Sequence, residues 1–389
     1  MTILITLILA PLTLLTLCFA VELLCGVRAL RAQPAPAKGA IAAVIIVPAH
    51  NEEAIIGDNL ALLKEYSSGA AILVVADNCT DSTAELARRA GAEVVERFDA
   101  DRRGKGFALD FAKRRLGAAP PDVVIIMDAD CVPDPHCIER LIAACAASGR
   151  PCQAIYLQKP VIGGSPLMQL STFAFFIKNV VRQRALQRIA GRVHLLGTGM
   201  AFPWALFDKA ELATGNIVED LELGLDLAHD GHPAILVEDA GVWTDPAAET
   251  STMDQRRRWE GGYLQGALRW GPSLLLQGVR RGDARRLWTG FSLFIPPIAL
   301  LVTLDLAAIA AAALVYLISG AGLAPLIVLC AALVVTGIAI VGAWGAGGSR
   351  FIPLGRLAQV PLYLAWKLPL YLGLARRGAP GEWVRTHRG

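Results

Sequence analysis

Three long apolar stretches set the first limit on what this chain can become. Residues 3 to 24 carry no charge before Glu22, residues 288 to 318 carry only Asp305, and residues 323 to 344 carry none. Each is long enough to cross the roughly 30 Å hydrocarbon core of a bilayer as a helix. Basic residues flank them on one side: Arg28, Arg31 and Lys38 after the first, Arg280, Arg281, Arg285 and Arg286 before the second, Arg350 and Arg356 after the third. A cleaved signal peptide has its basic flank at the other end and a small-residue cleavage site, so residues 3 to 24, interrupted at Pro11, read as a retained anchor. The charge bias places the following domain and both outer ends of the pair of spans joined by Ser319-Gly320-Ala321-Gly322 on the cytoplasmic side, the topology of a multi-pass protein of a bacterial-type inner (plasma) membrane. Residues 357 to 374 are apolar but broken by Gln359, Pro361, Lys367 and Pro369, with Arg376, Arg377, Arg385 and Arg388 beyond. That segment is expected to be interfacial or re-entrant.

A hydrophobic content of 54% and a mean hydropathy of +0.48 agree with a chain partly in lipid. The net charge of +3 is too small, and the basic residues too scattered, for a nucleic-acid partner. Eight cysteines include no Cys-x-x-Cys pair and read as free thiols, not a zinc site or disulfide framework.

Between the apolar ends, after a Gln33–Ala37 linker, short β-rich runs alternate with helical ones. Strands are expected at 41–47, 71–76, 93–96, 122–127 and 153–157, and helices at 52–65, 82–90, 106–116 and 135–147. Alternation of this kind builds βαβ units around a mostly parallel sheet, so an α/β nucleotide-binding domain is the expected core. The fourth run, Val123-Val124-Ile125-Ile126-Met127, ends in Asp128-Ala129-Asp130. An unbroken apolar strand delivers both acids to its carboxyl end, where open α/β sheets bind ligands. Asp-x-Asp can reach one hard divalent cation, Mg²⁺ or Mn²⁺, that also touches substrate phosphates.

Other strand ends carry polar groups as well: Pro48-Ala49-His50-Asn51-Glu52-Glu53 after the first, Asp77-Asn78-Cys79-Thr80-Asp81-Ser82 after the second. Each alone also fits a helix cap. Arg102-Arg103-Gly104-Lys105-Gly106 opens a helix, with Lys105 either on a nucleotide or in solvent; the spacing is not that of a Walker loop. Residues 166 to 190 form a basic amphipathic helix suited to a membrane surface or to ordinary packing. Leu196-Gly197-Thr198-Gly199-Met200-Ala201-Phe202 reads as a turn that lets a ligand approach the backbone. In Ile217–Leu227, Asp220 can serve as a general base if it faces the crevice, with Glu222 and Asp226 turned to solvent. Gln255-Arg256-Arg257-Arg258-Trp259 offers guanidinium groups and an indole for a diphosphate, although arginines before a span also arise from charge bias alone.

Taken in order, His50-Asn51-Glu52, Asp77, Asp128-Ala129-Asp130, Glu219-Asp220 and Gln255-x-x-Arg258-Trp259 resemble the membrane-bound family 2 glycosyltransferases. That group includes cellulose, hyaluronan and poly-N-acetylglucosamine synthases, ceramide glucosyltransferases and bacterial exopolysaccharide transferases. The resemblance implies a GT-A fold and inverting transfer from a nucleotide-diphosphate sugar, UDP-linked by preference, to a lipid-linked or glycan acceptor among membrane lipids. It implies that Pro48, His50, Asn51, Glu52, Asp77, Asn78 and Lys105 hold the nucleotide sugar, and that Asp128 and Asp130 hold sugar and metal, Asp130 the more direct ligand. Asp220 takes the acceptor proton beside Glu219, Thr198 and Gly199 lie beside the acceptor, and Gln255, Arg258 and Trp259 grip diphosphate and acceptor. The implied division is an anchor and linker at 1–39, a cytoplasmic catalytic domain at 40–252, the Gln-x-x-Arg-Trp segment with interface helices at 253–287, and a membrane and interfacial region at 288–389.

The acidic motif departs from the cellulose-synthase pattern in reading Val218-Glu219-Asp220, and the membrane part is smaller than in polymer synthases. So small a set of helices does not enclose a polysaccharide channel, which favours addition of one sugar to a lipid-linked acceptor over the alternative of a processive β-glycan synthase. A non-catalytic nucleotide-sugar-binding subunit would have eroded acids, yet Asp128, Asp130 and Asp220 are present. A transporter would carry paired charges within its spans, where only Asp305 stands.

Overall fold

The computed structural model describes residues 1–31, 41–216, 218–247 and 249–378. The expected Gln33–Ala37 linker, together with Lys38, Ile217, Arg385 and Arg388, lies outside the described residues. In chain order the elements are α1 (Thr2–Gly26), β1 (Ala43–Ala49), α2 (Ile56–Glu65), β2 (Ala71–Asp77), α3 (Thr83–Arg89), β3 (Glu93–Arg97), α4 (Lys105–Leu116), β4 (Val123–Ile126), β5 (Cys131–Pro133), α5 (Cys137–Ser148), β6 (Cys152–Gln158), α6 (Pro166–Phe176) and α7 (Arg182–Ala190). They continue with β7 (Met200–Pro203), α8 (Trp204–Lys209), α9 (Glu219–His229), β8 (Ile235–Thr244), α10 (Glu249–Arg281), α11 (Ala284–Phe294), α12 (Ile298–Ser319), α13 (Leu323–Gly345) and α14 (Val360–Arg377). Two compact units contain them: one of Ala29–Lys159 and Gly191–Thr252, the other of Met1–Arg28, Pro160–Ala190 and Met253–Ala379.

The first unit is an α/β sheet of eight strands in the order β3-β2-β1-β4-β7-β6-β8-β5. β1 pairs in parallel with β2 and β4, and β2 with β3, which is the parallel half expected from the alternation. Val124, Ile125, Ile126 and Met127 have no exposed surface, as a strand covered by helices on both faces requires. Beyond β4 the sheet changes character. β7 runs antiparallel between β4 and β6, and β5 antiparallel on β8, while β6 and β8 are parallel. The segment expected as a plain turn, 196–202, is therefore turn and strand together: Gly197 and Gly199 take positive φ (89° and 62°), and Met200 then enters the middle of the sheet. Two glycines within one tetrapeptide hid a short strand whose register is set by neighbours remote in sequence. The helix expected from Glu52 begins at Ile56, because Glu52 to Ile55 form a turn bonded to the following strand's loop.

The second unit is helical. Three of its helices are long and apolar enough to cross a membrane: α1, α12 and α13. Their outward faces are apolar, with Ile3, Leu7, Leu317 and Ile338 exposed, which is the pattern of a surface meeting lipid rather than water. Between them Leu9, Ala312 and Leu329 form a small core. Two polar contacts join its helices inside: Thr16 Oγ1 donates to Asp305 (2.9 and 3.0 Å), and Glu22 meets Arg182 Nε at 2.6 Å with no exposed surface on Glu22. The expected span 288–318 is two helices, α11 and α12, broken at Ile295-Pro296-Pro297, since a proline offers no N–H and its ring clashes with the preceding turn. Residues 166–190 form one continuous helical run with a π-helical turn at Ile177–Val181. It is packed into the unit, with Phe173, Phe175, Phe176, Val180, Val181 and Leu186 buried, so packing rather than a free surface explains its apolar face. α14 is 18 residues long with Pro369 inside, and Lys367, fully buried, pairs with Glu260 of α10.

Candidate active site

The carboxyl ends of β1, β2 and β4 share one edge of the sheet because these strands are parallel neighbours. At the end of β4 the backbone N–H of Asp128 donates to Thr198 Oγ1 (3.1 Å), and Thr198 is fully buried. Gln153 Nε2 holds the Thr198 carbonyl (2.9 Å) while its Oε1 accepts from Leu196 N–H (2.9 Å). Thr198, expected beside the acceptor, thus braces the acidic motif from within. Gly199 also points inward: a Cβ there would stand 2.8 Å from Val242 and 2.9 Å from Ala154. The glycine that borders the acids is Gly197, where a Cβ would stand 3.3 Å from Asp220 Oδ2 and 3.6 Å from Lys105 Nζ.

Lys105, at the first position of α4, donates to the Asp128 carboxylate and to the Gly197 carbonyl (2.6 Å). Burial alone would depress its ammonium, but Asp128, Glu219 and Asp220 outweigh that and raise it. This corrects the solvated alternative: Lys105 is the central cation of a carboxylate cluster. Glu219 and Asp220 occupy the first turn of α9, the end of a helix that favours negative charge. The Glu219 carboxyl is pushed up to about 8, first by burial and then by Asp220, with Lys105 opposing. Its environment therefore favours the protonated form. Of the two other acids, Asp226 is exposed and Glu222 half-buried.

Asp128, Asp130 and Cys131 each bring a ligand atom within 4.8 Å of the others. Two carboxylates and a neighbouring polar atom on one edge fit a divalent cation that keeps its remaining positions for water or phosphate oxygen. Cys131 donates to Asp130 Oδ1 at 3.2 Å, and burial pushes its thiol up to about 12, so it stands beside the acids as a neutral group. All eight cysteines are free, as expected.

At the ends of β1 and β2, Asn51 and Asn78 adopt positive φ (54° and 51°), a conformation asparagine tolerates better than other side-chain-bearing residues. Asn51 Oδ1 accepts from Thr80 N–H (2.7 Å), and His50 Nδ1 donates to the Asp77 carbonyl (2.7 Å). Glu52 N–H donates to Thr83 Oγ1 (2.7 Å). Pro48 lies two residues beyond the last β1–β4 pair, Ile46 and Ile126, and is half-buried. Asp81 serves the cap: Thr83 donates to it through both N–H and hydroxyl (3.0 and 2.6 Å).

Asp77 has a partner that sequence reasoning missed. Arg97, closing β3, meets its Oδ1 at 2.6 Å, with both side chains buried, and also bonds Asp99 (3.1 Å) and the Arg102 carbonyl (2.7 Å). The one available signal was a charged residue ending an otherwise half-buried strand. Gln255, Arg258 and Trp259 lie on α10 in the helical unit. Gln255 is buried and Arg258 half-buried, its guanidinium pKa lowered by burial. Trp259 packs 6.0 Å from Phe175.

The profile of the family described as "Glycosyltransferase like family 2" matches residues 41–262, more than half of the chain. An uncharacterised protein of Methanocaldococcus jannaschii is 34% identical over 100 residues, which are 25% of this chain and 39% of that relative. A dolichyl-phosphate hexose transferase of Haloferax volcanii is 32% identical over 87 residues, 22% of this chain and 35% of the relative. The matched segments thus span well under half of either relative. Among solved structures, a mannosyltransferase from Pyrobaculum calidifontis in complex with GDP-mannose and Mn²⁺ is 19% identical, with a TM-score of 0.56 over 96% of this chain and 97% of that one. At that identity the likeness is one of fold.

Proposed function

The chain belongs to glycosyltransferase family 2, and from that premise we propose that it moves one sugar, with inversion, from a nucleotide-diphosphate sugar to a lipid-linked acceptor at the cytoplasmic membrane face. The observation that carries this reading is the clustering of Lys105, Asp128, Glu219 and Asp220 about one point, next to Asp130. Transfer needs a base for the acceptor hydroxyl and neutralisation of the charge that grows on the leaving diphosphate. Asp220 is the base in this proposal. Glu219 stands beside it in the first turn of α9, where burial and Asp220 favour its protonated form. Asp128 and Asp130 would hold Mg²⁺ or Mn²⁺, whose chemistry is to neutralise the diphosphate. Lys105 stands where it can leave Asp128 for a phosphate oxygen.

His50, Asn51, Glu52, Asp77 and Asn78 supply the nucleoside end, with Pro48 stiffening the strand that carries them. Arg97 holds the Asp77 side chain in place as an acceptor for a ribose hydroxyl or base N–H. Gln255 and Arg258 are assigned to the diphosphate, and Trp259 to the acceptor. A UDP-linked donor is the preferred reading. The three long apolar helices, the Haloferax relative's dolichyl-phosphate chemistry and the small membrane part support a lipid acceptor and single addition.

The test is nucleoside diphosphate release by detergent-purified protein with Mg²⁺ or Mn²⁺, across UDP- and GDP-sugars, with and without polyprenyl-linked acceptor. Release that requires the lipid and stops after one equivalent is the expected result. Sustained release without lipid and a high-mass product would replace this reading with a processive β-glycan synthase. No release under any condition would leave a nucleotide-sugar-binding subunit.

A further inference from the structure

Inside the helical unit lies a pocket, open to the outside, whose lining mixes apolar and charged side chains. Phe19, Ile177, Pro297 and Ile298 are apolar members of the lining, and Arg256 and Tyr363 are polar ones. α10 contributes Arg256, Trp259, Glu260 and Tyr263 to this lining at helical spacing, and Gln255 and Arg258 are not part of it.

Arg256 is 7% exposed. Among the described residues its hydrogen bonds go only to Ser171, to the carbonyl (3.1 Å) and the hydroxyl (2.7 Å), and its Nε has no partner. The guanidinium sits against Phe175 and Trp259, 5.8 and 5.7 Å from their ring centroids. Arg182 is committed to Glu22, and Glu260, the one carboxylate in the lining, stands four residues beyond Arg256 and is engaged by Lys367, so one carboxylate serves two buried cations. A buried guanidinium that shares its carboxylate with an ammonium leaves an excess of positive charge and asks for an anion from elsewhere. Arginine matches phosphate oxygens with its planar fork of donors.

We propose that this pocket binds a lipid phosphate, with the phosphate oxygens on Arg256 and the first part of the apolar chain along Phe19, Ile177, Pro297 and Ile298. Arg256 lies between the motif residues Gln255 and Arg258 but is not one of them, and its part is to seat the lipid. The lipid is a polyprenyl phosphate or a phosphoglyceride of the bilayer, which share the recognised group. That the bound lipid is also the sugar acceptor rests on the function proposed above; the binding site does not.

The experiment measures binding of polyprenyl phosphate, the matching polyprenol and phosphatidylglycerol to the full-length protein in detergent by native mass spectrometry. Wild type is expected to prefer the phosphate to the alcohol by about ten-fold or more, as one charge-assisted contact implies. Arg256→Gln should lose that preference while still binding the alcohol, and Arg256→Lys should keep part of it. Equal binding of phosphate and alcohol by wild type, which needs no variant, would overturn the proposal, as would an unchanged preference in Arg256→Gln. Displacement of polyprenyl phosphate by phosphatidylglycerol would assign the site to bilayer lipid phosphates in general, and resistance to it would assign the site to the polyprenyl chain. Phosphate-selective binding in a preparation that transfers no sugar would keep the site and remove the acceptor role.

Discussion

Lys105 donates to the carboxylate of Asp128, the first acid of the Asp-x-Asp pair, and so occupies the place where positive charge is needed. One ammonium serves Asp128 directly and Glu219 and Asp220 through space. Lys105→Met should therefore leave these carboxylates mutually repelling. Its melting temperature in the absence of divalent cation should fall below wild type, and Mn²⁺ should restore more of it than in wild type. An equal Mn²⁺-induced shift in both proteins would show that Lys105 and the metal do not share the same charge cluster.

Glu219 adds a pH dependence. Its folded-state pKa of about 8 lies above the ordinary carboxylate value of about 4.3. A raised pKa gives stability that is complete below the unfolded value and lost as pH rises through the folded one. Metal-free protein should lose melting temperature between about pH 4.5 and pH 8 for this reason, and Glu219→Gln should flatten that part of the curve. Parallel curves for wild type and variant would contradict the burial of this carboxyl.

Asp220→Asn should reduce transfer by a factor of about 10² to 10⁴, the usual contribution of a positioned base. Affinity for the nucleoside diphosphate, measured by calorimetry, should stay near wild type. A rate unchanged within about two-fold would take Asp220 out of the base role.

Arg97→Met strands the buried Asp77 carboxylate without its partner, a loss on the order of 3–5 kcal/mol. Denaturant unfolding followed by fluorescence should show it, and adding Asp77→Asn should recover part of the loss. Additive losses in the double variant would mean that the two side chains do not stabilise each other.

Gly106→Ala tests a close approach the sequence did not disclose. A Cβ there would run into the backbone carbonyl of Leu212 and stand 2.6 Å from that of Thr214. Displacing residues 211–216 shifts the start of α9, which carries Glu219 and Asp220, so turnover should fall while the protein stays folded by circular dichroism. Unchanged turnover would show that this loop can move without carrying the acids along.

The site was legible in part for a definite reason. Asp128 and Asp130 announce themselves because burying the apolar run before them leaves both acids at the carboxyl edge of the sheet, where ligands bind. Asp77, Asn51 and His50 were visible at strand ends, but the share of them spent on holding the loops together was not, since Asn51 to Thr80 and Glu52 to Thr83 are contacts between segments about thirty residues apart. Thr198 and Gly199 were placed beside the acceptor by the family resemblance. Their inward orientation follows from β7 entering the sheet between β4 and β6, a pairing that no local pattern encodes.

By itself the sequence determined the periodicities: apolar helices long enough for a bilayer, buried parallel strands, and acids where those strands end. Those are properties of neighbours along the chain, and hydrophobic spacing reports them directly. Only the tertiary structure decided which charges meet. Arg97 on Asp77, Lys105 on Asp128 and Arg256 on Ser171 depend on side chains brought together across long sequence separations. Whether a charge there is paired or left waiting for a ligand is set by burial, which removes the water that would otherwise make each of these residues equivalent to any other on the surface.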